Sequence, residues 1–247
     1  GKTFTVDEHF SQQIKREKAA WLDWGKDNYA SVSFDNVPKE KRVIIGWMSN
    51  WDYAQEVPTQ AWRSSMTVAR EVSLKKTNDG YILKNIPVAQ LKKYQGKSTR
   101  KTIKVKAENQ LIEKSQIDLS KAVVDLDLKK MTAGKYTFAL KNALGEELTF
   151  GIDNTTKELF VDRSKSGNTD FGNHFATAVS KAPLNKVYSN VKMKLVIDKT
   201  SIEIFFNDGE KVLTEIFFPN EHFSELYLST DTKGSTLNIR GHQLNIN

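Results

Sequence analysis

Short apolar runs separated by turn residues recur along the second half of the chain and constrain its fold more than any other feature. Apolar and polar residues alternate within these runs with a period of two, which is typical of strands with one buried face. Asn207, Asp208 and Gly209 lie between two such runs, and Asp-Gly favours the turns that match strand twist, so a hairpin is predicted there. Strands of this length and spacing predict an antiparallel β-sandwich over residues 100–247. The expected strands are 103–107, 122–128, 136–140, 148–152, 159–162, 175–179, 191–197, 202–206, 212–218, 226–229 and 237–246.

Residues 1–90 have a different character, because they contain all five tryptophans of the chain. Residues 85–96 connect the two regions: Pro87 ends a strand, and residues 88–94 are expected to form a short helical turn. The domain boundary is placed in a connector at 91–99. Residues 1–10 are expected to include a further short strand. The four main strand-like runs are 29–34, 42–47, 65–74 and 81–85.

Aromatic residues cluster in residues 43–74, where Trp47, Trp51, Tyr53 and Trp62 follow a buried apolar run. Indole faces beside amide and hydroxyl groups suit a sugar ring, which offers apolar C–H patches edged by hydroxyls. Large aromatics also dominate ordinary β cores. The cluster therefore indicates either a carbohydrate-contacting surface or a core.

Three segments of this region carry a resemblance to a known family. The sequences LDWGKDNYA at 22–30, GWMSNWDYA at 46–54 and MTVARE at 66–71 resemble the last propeller blade of family 32 glycoside hydrolases, the β-fructosidases of the invertase, inulinase and levanase type. Residues 161–164 and 202–209 resemble the C-terminal β-sandwich of that family. Two departures are Trp24, where the family usually has tyrosine, and Ala69, where it usually has proline.

The resemblance covers essentially the whole chain and implies an all-β fold. Residues 1–90 would form one four-stranded β-propeller blade, since four antiparallel strands in succession make a blade. The rest of the five-bladed propeller is missing from this chain. The connector at 91–99 would lead into the antiparallel β-sandwich at 100–247.

The family's catalytic motifs are missing from this sequence. Retaining glycosidases need two carboxylates that flank the glycosidic bond. In the family these come from Asn-Asp-Pro and Glu-Cys motifs, with Arg-Asp-Pro between them. Here Asn207-Asp208 is followed by glycine, and the chain has no cysteine. We therefore expect no catalytic residue in this chain, which would be a C-terminal fragment of an enzyme and inert alone.

By resemblance, the last blade would supply part of the sugar-pocket wall, and fructan or sucrose would be the partner of the intact protein. The run from Asn50 to Tyr53 is more similar to the levanase, inulinase and invertase branch than to phosphorylated-sucrose hydrolases. The candidate substrate-binding residues are Trp47, Asp23, Lys26, Asn50 and Trp51.

Two of these candidates also have a plain structural interpretation. Asp23 and Lys26 could form a surface turn with a neighbouring ion pair, which contributes under about 1 kcal/mol. Arg63 and Arg70 are interpreted as structural, each a buried ion-pair partner of Glu71 or Asp52.

The formal charge of +7 does not by itself predict nucleic-acid binding. The lysines alternate with apolar residues, as at 101–106, which is typical of a solvated sheet face, and no recognition helix accompanies them. No apolar run approaches the roughly 20 residues of a membrane span. The four histidines lack ligand spacing, so we expect no metal and no cofactor. The absence of cysteine leaves the compartment open, and a secreted or periplasmic parent is compatible with it.

A second hypothesis is a non-catalytic carbohydrate-binding or structural module. Asn-Asp-Pro and Arg-Asp-Pro motifs upstream of Gly1 would decide for the enzyme. Without its neighbouring blades, the first unit should expose apolar side chains. We therefore expect either a homodimer through residues 1–90 or packing of the blade onto its own sandwich. The candidates for this surface are Tyr29, Val32, Phe34, Ile44, Trp47 and Met66.

Overall fold

The computed structural model describes residues 21–77, 80–114, 116–172 and 174–245, and nearly all of its regular elements are β-strands. The strand expected within residues 1–10 lies outside the described residues, as do His9 and Ile246. None of the helices in the described ranges has the length and apolarity needed to cross a membrane. The short helical turn expected near residue 90 is confirmed as a 3-10 helix at Ala89–Tyr94.

The first sheet is the propeller blade, and its main strands run in the order β1, β2, β4, β5, with β3 paired to β2. All of these pairs are antiparallel. The four-stranded ladder expected of one blade is therefore present. Its strands are β1 (Tyr29–Ser33), β2 (Val43–Met48), β3 (Ser65–Met66), β4 (Arg70–Thr77) and β5 (Gly80–Pro87).

The single strand expected over residues 65–74 is wrong, because the chain leaves the sheet between β3 and β4. Thr67 still bonds to Gly46, whose backbone N–H donates to the Thr67 hydroxyl at 3.0 Å. The next backbone N–H, that of Val68, instead donates to the Glu203 carboxylate at 2.8 Å. Glu203 belongs to the second domain, so an inter-domain contact interrupts the local strand.

Two six-stranded antiparallel sheets form the β-sandwich. One sheet has the order β12-β11-β10-β9-β16-β7, and the other has the order β15-β14-β13-β8-β17-β6. The strands are β6 (Gln95–Lys104), β7 (Gln110–Lys114), β8 (Ala122–Lys129), β9 (Lys135–Lys141), β10 (Glu147–Asp153), β11 (Glu158–Lys165), β12 (Ser180–Pro183), β13 (Asn190–Asp198), β14 (Ser201–Phe206), β15 (Lys211–Ile216), β16 (Glu225–Thr230) and β17 (Thr236–Leu244).

The sandwich differs from expectation at three places. β6 begins at Gln95, so strand pairing already includes part of the expected connector. β7 was not expected, because its alternation is short and its flanks are charged. The strand expected at 175–179 is absent, because Phe175 is buried in a turn and β12 follows it.

The predicted hairpin between β14 and β15 is confirmed. Its turn holds Asn207, Asp208 and Gly209 at positive φ values of 44°, 56° and 81°. This turn also touches the blade, because the Gly209 carbonyl accepts a 3.0 Å hydrogen bond from the backbone N–H of Asn85.

The blade packs against the outer face of the β15-to-β6 sheet. As a result β14 is covered on both faces, and all six of its residues are buried. Apolar contact is made at two clusters that join the domains. The first contains Met48, Tyr53, Val57, Phe175, Ile216 and Phe218, and the second places Val68 and Leu91 against Val123, Val196, Phe205, Val212 and Leu244.

Residues 23–27 run along β15, which is the edge strand of its sheet. Trp24 donates its backbone N–H to Val212 O at 2.7 Å. The carboxylates of Asp23 and Asp27 accept the N–H groups of Thr214 and Ile216, each at 2.9 Å. Two aspartates four residues apart thus satisfy β15 donors two residues apart, which protects a sheet edge.

Packing onto the sandwich, one of the two expected arrangements, is therefore observed. The blade nevertheless keeps an exposed apolar surface on β1 and β3, where Val32 is 60% exposed. Of the six expected residues, Ile44 and Trp47 are half-buried, and the exposed ones are Tyr29, Val32, Phe34 and Met66. Dimerisation through this surface stays a prediction.

Candidate functional site

A row of large side chains crosses three strands of the blade and remains open to solvent. Tyr29 on β1 and Met66 on β3 are both register partners of Trp47 on β2, so the three side chains share one face of the sheet. Tyr29 and Trp47 meet edge to face with ring centroids 6.1 Å apart, and Trp51 packs on Trp47 at 5.0 Å. We call Tyr29, Trp47, Trp51 and Met66 the aromatic wall.

The indole N–H of the half-buried Trp47 has a hydrogen-bond acceptor within the protein. Its indole Nε1 donates to Ser64 Oγ at 2.5 Å, and Ser64 adopts a left-handed backbone with φ of 63°. Behind it, a Cβ on Gly46 would lie 2.0 Å from Asn28 Oδ1 and 2.6 Å from Ser31 Oγ, so a larger residue there would displace these two side chains. The wall therefore presents carbon faces, which suit the C–H side of a sugar ring.

Trp51 lies on residues 49–57, which we call the rim loop. Asn50 shapes this loop, because its amide donates to Lys26 O at 3.1 Å and accepts the N–H of Asp52 at 3.0 Å. The indole of Trp51 is 62% exposed, whereas Tyr53 two residues later is fully buried. The loop thus holds one exposed aromatic beside one anchored aromatic.

Asp23 lies between the two domains and is almost completely buried. Its Oδ2 atom accepts hydrogen bonds from Arg70 Nη1 at 2.8 Å and from the Thr214 hydroxyl at 2.6 Å. Arg70 also donates to Glu203, with Nε at 3.0 Å and Nη2 at 2.5 Å from Oε2. Arg70 therefore connects a blade carboxylate with a sandwich carboxylate.

The expected ion-pair partners of the two blade arginines are wrong. Arg70 is buried as predicted, but it pairs across the domain interface rather than with Glu71, which pairs with Lys41 at 3.2 Å. Arg63 is exposed, and its Nη1 donates to the rim-loop carbonyls of residues 55 and 57 at 2.6 and 3.1 Å.

Lys26 directs its ammonium group to the sandwich, where Nζ donates to Ala178 O. Burial lowers the pKa of Lys26, although Glu215 opposes this shift. Its backbone N–H donates to Glu215 Oε1 at 3.1 Å and its carbonyl accepts from Asn50. Lys26 therefore contacts the rim loop through its backbone.

A second buried arginine, Arg163 on β11, forms the other charged cluster between the domains. Its Nη1 lies 2.5 Å from Asp27 Oδ2 and 3.0 Å from Glu215 Oε2. Its Nη2 donates to Tyr53 OH at 2.8 Å, and the Tyr53 hydroxyl in turn donates to Asp27. The guanidinium carbon lies 3.8 Å from the centroid of the Phe175 ring.

One guanidinium thus faces two carboxylates in this cluster. Glu215 Oε2 lies near Arg163 without the alignment of a hydrogen bond. Burial raises the pKa of Glu215 to about 7, with the nearby Asp27 charge adding to the shift and Arg163 opposing it. Burial likewise raises the pKa of Tyr53 and that of Glu203.

The raised pKa of Glu215 predicts a pH dependence of stability. Between its ordinary value of 4.5 and about 7, the folded chain holds a proton on Glu215 that the unfolded chain has lost. The stabilisation from this group is therefore fully present below about pH 4.5 and lost as pH rises through about 7. Relative to Glu215→Gln, the wild type should lose on the order of 3 kcal/mol of unfolding free energy across this window.

Urea denaturation of both proteins at several pH values measures this difference. Glu158→Gln is the matched control, because Glu158 is a partly exposed carboxylate that pairs with Lys181 at 2.9 Å. The control should follow the wild-type curve. Parallel curves for the wild type and Glu215→Gln would contradict the prediction.

The described part of the chain contains no group of three or more histidines, cysteines or carboxylates placed to hold a metal ion.

Two family descriptions match the chain. Residues 88–243 match "Glycosyl hydrolases family 32 C terminal", and residues 1–86 match "Glycosyl hydrolases family 32 N-terminal domain". The chain belongs to glycoside hydrolase family 32.

Individual relatives agree with this membership. A levanase of Bacillus subtilis (strain 168) is 35% identical over 89% of this chain and 33% of its own length. An extracellular exo-inulinase of Aspergillus niger is 30% identical over 97% of this chain and 45% of its own length. The chain thus spans between about a third and a half of the length of these relatives.

Solved family 32 structures share the fold. An exo-inulinase from Aspergillus awamori superposes with a TM-score of 0.78 at 29% identity, covering 91% of this chain and 44% of that one. A sucrose-6-phosphate hydrolase from Lactobacillus gasseri superposes with a TM-score of 0.69 at 25% identity, covering 91% of this chain and 42% of that one. The blade followed by a sandwich is thus a family 32 arrangement.

The structure brings three of the five candidate residues together, since Trp47, Asn50 and Trp51 lie on the wall and its rim loop. Asp23 and the ammonium of Lys26 contact the sandwich instead. Sequence reasoning missed Asp27 and the sandwich residues Arg163, Glu203 and Glu215. A usable signal was present for Glu203, because it lies within the largely apolar strand β14, where a charge needs a buried partner.

Proposed function

We propose that this chain is the C-terminal part of a fructan- or sucrose-cleaving retaining glycoside hydrolase, in which residues 21–90 supply one wall of the sugar pocket. The observation that carries the proposal is the aromatic wall. Trp47 has its indole N–H satisfied by Ser64, while Trp51 beside it exposes 62% of its surface. Anchored rings with open carbon faces are typical of sugar-binding sites.

The relatives supply the substrate class, since they are described as levanases and exo-inulinases. This chain lacks the family's Asn-Asp-Pro, Arg-Asp-Pro and Glu-Cys motifs. The catalytic carboxylates would therefore come from an upstream part of a longer protein, and the chain alone would release no fructose.

Trp47 and Trp51 would contact the sugar carbons. Sugar contacts by Asn50, Asp23 and Lys26 stay predictions. Their present hydrogen bonds favour a different role, because Asn50 Nδ2 and the Asp23 carboxylate already have protein partners. We propose that these residues hold the wall in place.

Alanine substitution of Trp47 or Trp51 in the intact protein tests this proposal. Losing one apolar wall of the pocket should cost about 1–3 kcal/mol of binding in the transition state. The expected fall in kcat/KM on oligofructans is about 5- to 150-fold for each variant. Steady-state fructose release measures it, and circular dichroism establishes that the variants fold.

Tyr81→Ala is the matched control, because Tyr81 is an aromatic about as exposed as Trp51 that lies at the opposite edge of the blade, on β5. It should retain wild-type kcat/KM. Folded Trp47 and Trp51 variants with unchanged kcat/KM would refute the pocket role. In that case, Trp51-dependent binding of inulin oligosaccharides by this chain alone, measured by calorimetry, would favour a non-catalytic binding module.

A further inference from the structure

We infer that Arg163 of the β-sandwich is a positioning residue that holds the rim loop, and through it Trp51, at the sugar-binding wall. This inference rests on the proposed function for its link to sugar, but its structural part stands on the contacts of the buried cluster. The sandwich would then contribute to sugar affinity without touching the sugar.

Few side chains anchor the rim loop. Trp51, Asp52, Gln55 and Glu56 are exposed, whereas Tyr53 is 1% exposed and is the largest of the buried side chains in the loop, the others being Ser49, Ala54 and Val57. Tyr53 contributes to the apolar cluster between the domains, and its ring meets Phe175 edge to face at 5.0 Å. The Tyr53 hydroxyl is the polar end of the anchor nearest to Trp51, while Val57 in the same cluster and Arg63, which binds the carbonyls of residues 55 and 57, hold the end of the loop.

Arg163 fixes the hydroxyl from one direction. Nη2 donates to Tyr53 OH at 2.8 Å, while Nε donates to Phe175 O at 2.8 Å. The guanidinium carbon lies 3.8 Å from the centroid of the Phe175 ring, and Arg163 is 2% exposed, so packing and hydrogen bonds together restrict its orientation. A lysine could not make these contacts together, because its ammonium lacks the planar fork.

Arg163 also controls the other end of the loop through Asp27. Nη1 lies 2.5 Å from Asp27 Oδ2, and Asp27 directly follows Lys26. The Lys26 carbonyl accepts the 3.1 Å hydrogen bond from Asn50, the second residue of the loop. Arg163 therefore holds the residues on both sides of Trp51, directly at Tyr53 and through Asp27 and Lys26 at Asn50. This would keep Trp51 in its 5.0 Å contact with Trp47.

Arg70 offers a matched comparison within the same interface. It is as buried as Arg163, and it also joins blade to sandwich. Its side-chain hydrogen bonds go to Asp23, Glu203 and Thr214, none of which belongs to the rim loop. A general loss of stability should follow from substitution of either arginine. Loosening of the rim loop should follow only from substitution of Arg163.

The test compares Arg163→Lys with Arg70→Lys by hydrogen exchange and kinetics in the intact protein. Losing the Tyr53 contact should raise amide exchange in residues 49–57 about tenfold, the equivalent of one net hydrogen bond. Arg70→Lys should leave exchange in this segment at the wild-type level. KM for oligofructans should rise about threefold to tenfold in Arg163→Lys with kcat retained, which a merely destabilised fold would not produce.

Tyr53→Phe is the second variant, because it removes only the hydroxyl and leaves Arg163 paired with Asp27. It should show the same loosening of residues 49–57 even if Arg163→Lys does not fold. Unchanged exchange in Tyr53→Phe, or equal increases in Arg163→Lys and Arg70→Lys, would overturn the inference. Faster exchange with unchanged KM would support positioning by Arg163 and would instead refute the proposed sugar role of the wall.

Discussion

Replacing Arg70 with alanine is expected to lower the free energy of unfolding by about 3–5 kcal/mol. Arg70 has no exposed side-chain surface, and its two partners, Asp23 and Glu203, are 4% and 3% exposed. Removing the arginine leaves two carboxylates in a site with little water. The cost is dominated by these unpaired charges rather than by the lost attraction.

Chemical denaturation monitored by tryptophan fluorescence measures this loss, since all five tryptophans precede β4. Lys41→Ala is the control, because Lys41 pairs with Glu71 at 3.2 Å with 44% of its side chain exposed. That variant should lose less than about 1 kcal/mol. Similar losses in both variants would show that the Arg70 cluster contributes no more than a surface pair.

Gly25→Ala should destabilise the chain by about 3 kcal/mol, at the upper end of overpacking effects. Its Cβ would lie 2.1 Å from Thr214 O and 2.2 Å from Thr214 N. Both atoms are backbone atoms of the paired strand β15, so neither can turn away. Residues 23–27 would have to separate from β15, which breaks the hydrogen bonds along its edge.

Gly96→Ala provides the comparison by the same denaturation assay. There the added carbon would meet the amide of Asn245, 2.3 Å away, and that amide ends an exposed side chain that can rotate. We expect a cost below about 1 kcal/mol, as for other exposed positions. A Gly25→Ala protein as stable as Gly96→Ala would show that the domain contact adapts more readily than its geometry indicates.

Local patterns in the sequence predicted most strands of both domains, because each strand alternates or forms a short apolar run. Prediction failed where a distant contact overrode the local pattern. Residues 65–74 read as one strand, yet the N–H of Val68 pairs with Glu203, 135 residues away. Phe175 has strand propensity, yet Arg163 binds its carbonyl and holds it in a turn.

In the candidate site, too, local features could be predicted from the sequence, whereas contacts between distant residues could not. The aromatic cluster seen in the sequence is present in the structure, where Trp47 and Trp51 lie side by side, and their role in sugar binding stays a prediction. The buried charges could not be paired from sequence, since Asp27 and Arg163 are 136 residues apart. A charge within an apolar strand, such as Glu203, predicts that a buried partner exists but does not identify it.

The two buried clusters divide their charges between the domains. The blade side contributes Asp23, Asp27 and Arg70, while the sandwich contributes Arg163, Glu203 and Glu215. Each domain therefore carries charges that are neutralised only by residues of the other domain, more than 100 residues away in the sequence. Chimeras that exchange sandwiches between family members would have to exchange residues 23–27 and Arg70 with them. Recombination that separates these residues would leave unpaired charges buried in the new interface. The blade residues 23–27 and Arg70 are therefore expected to be inherited together with the sandwich.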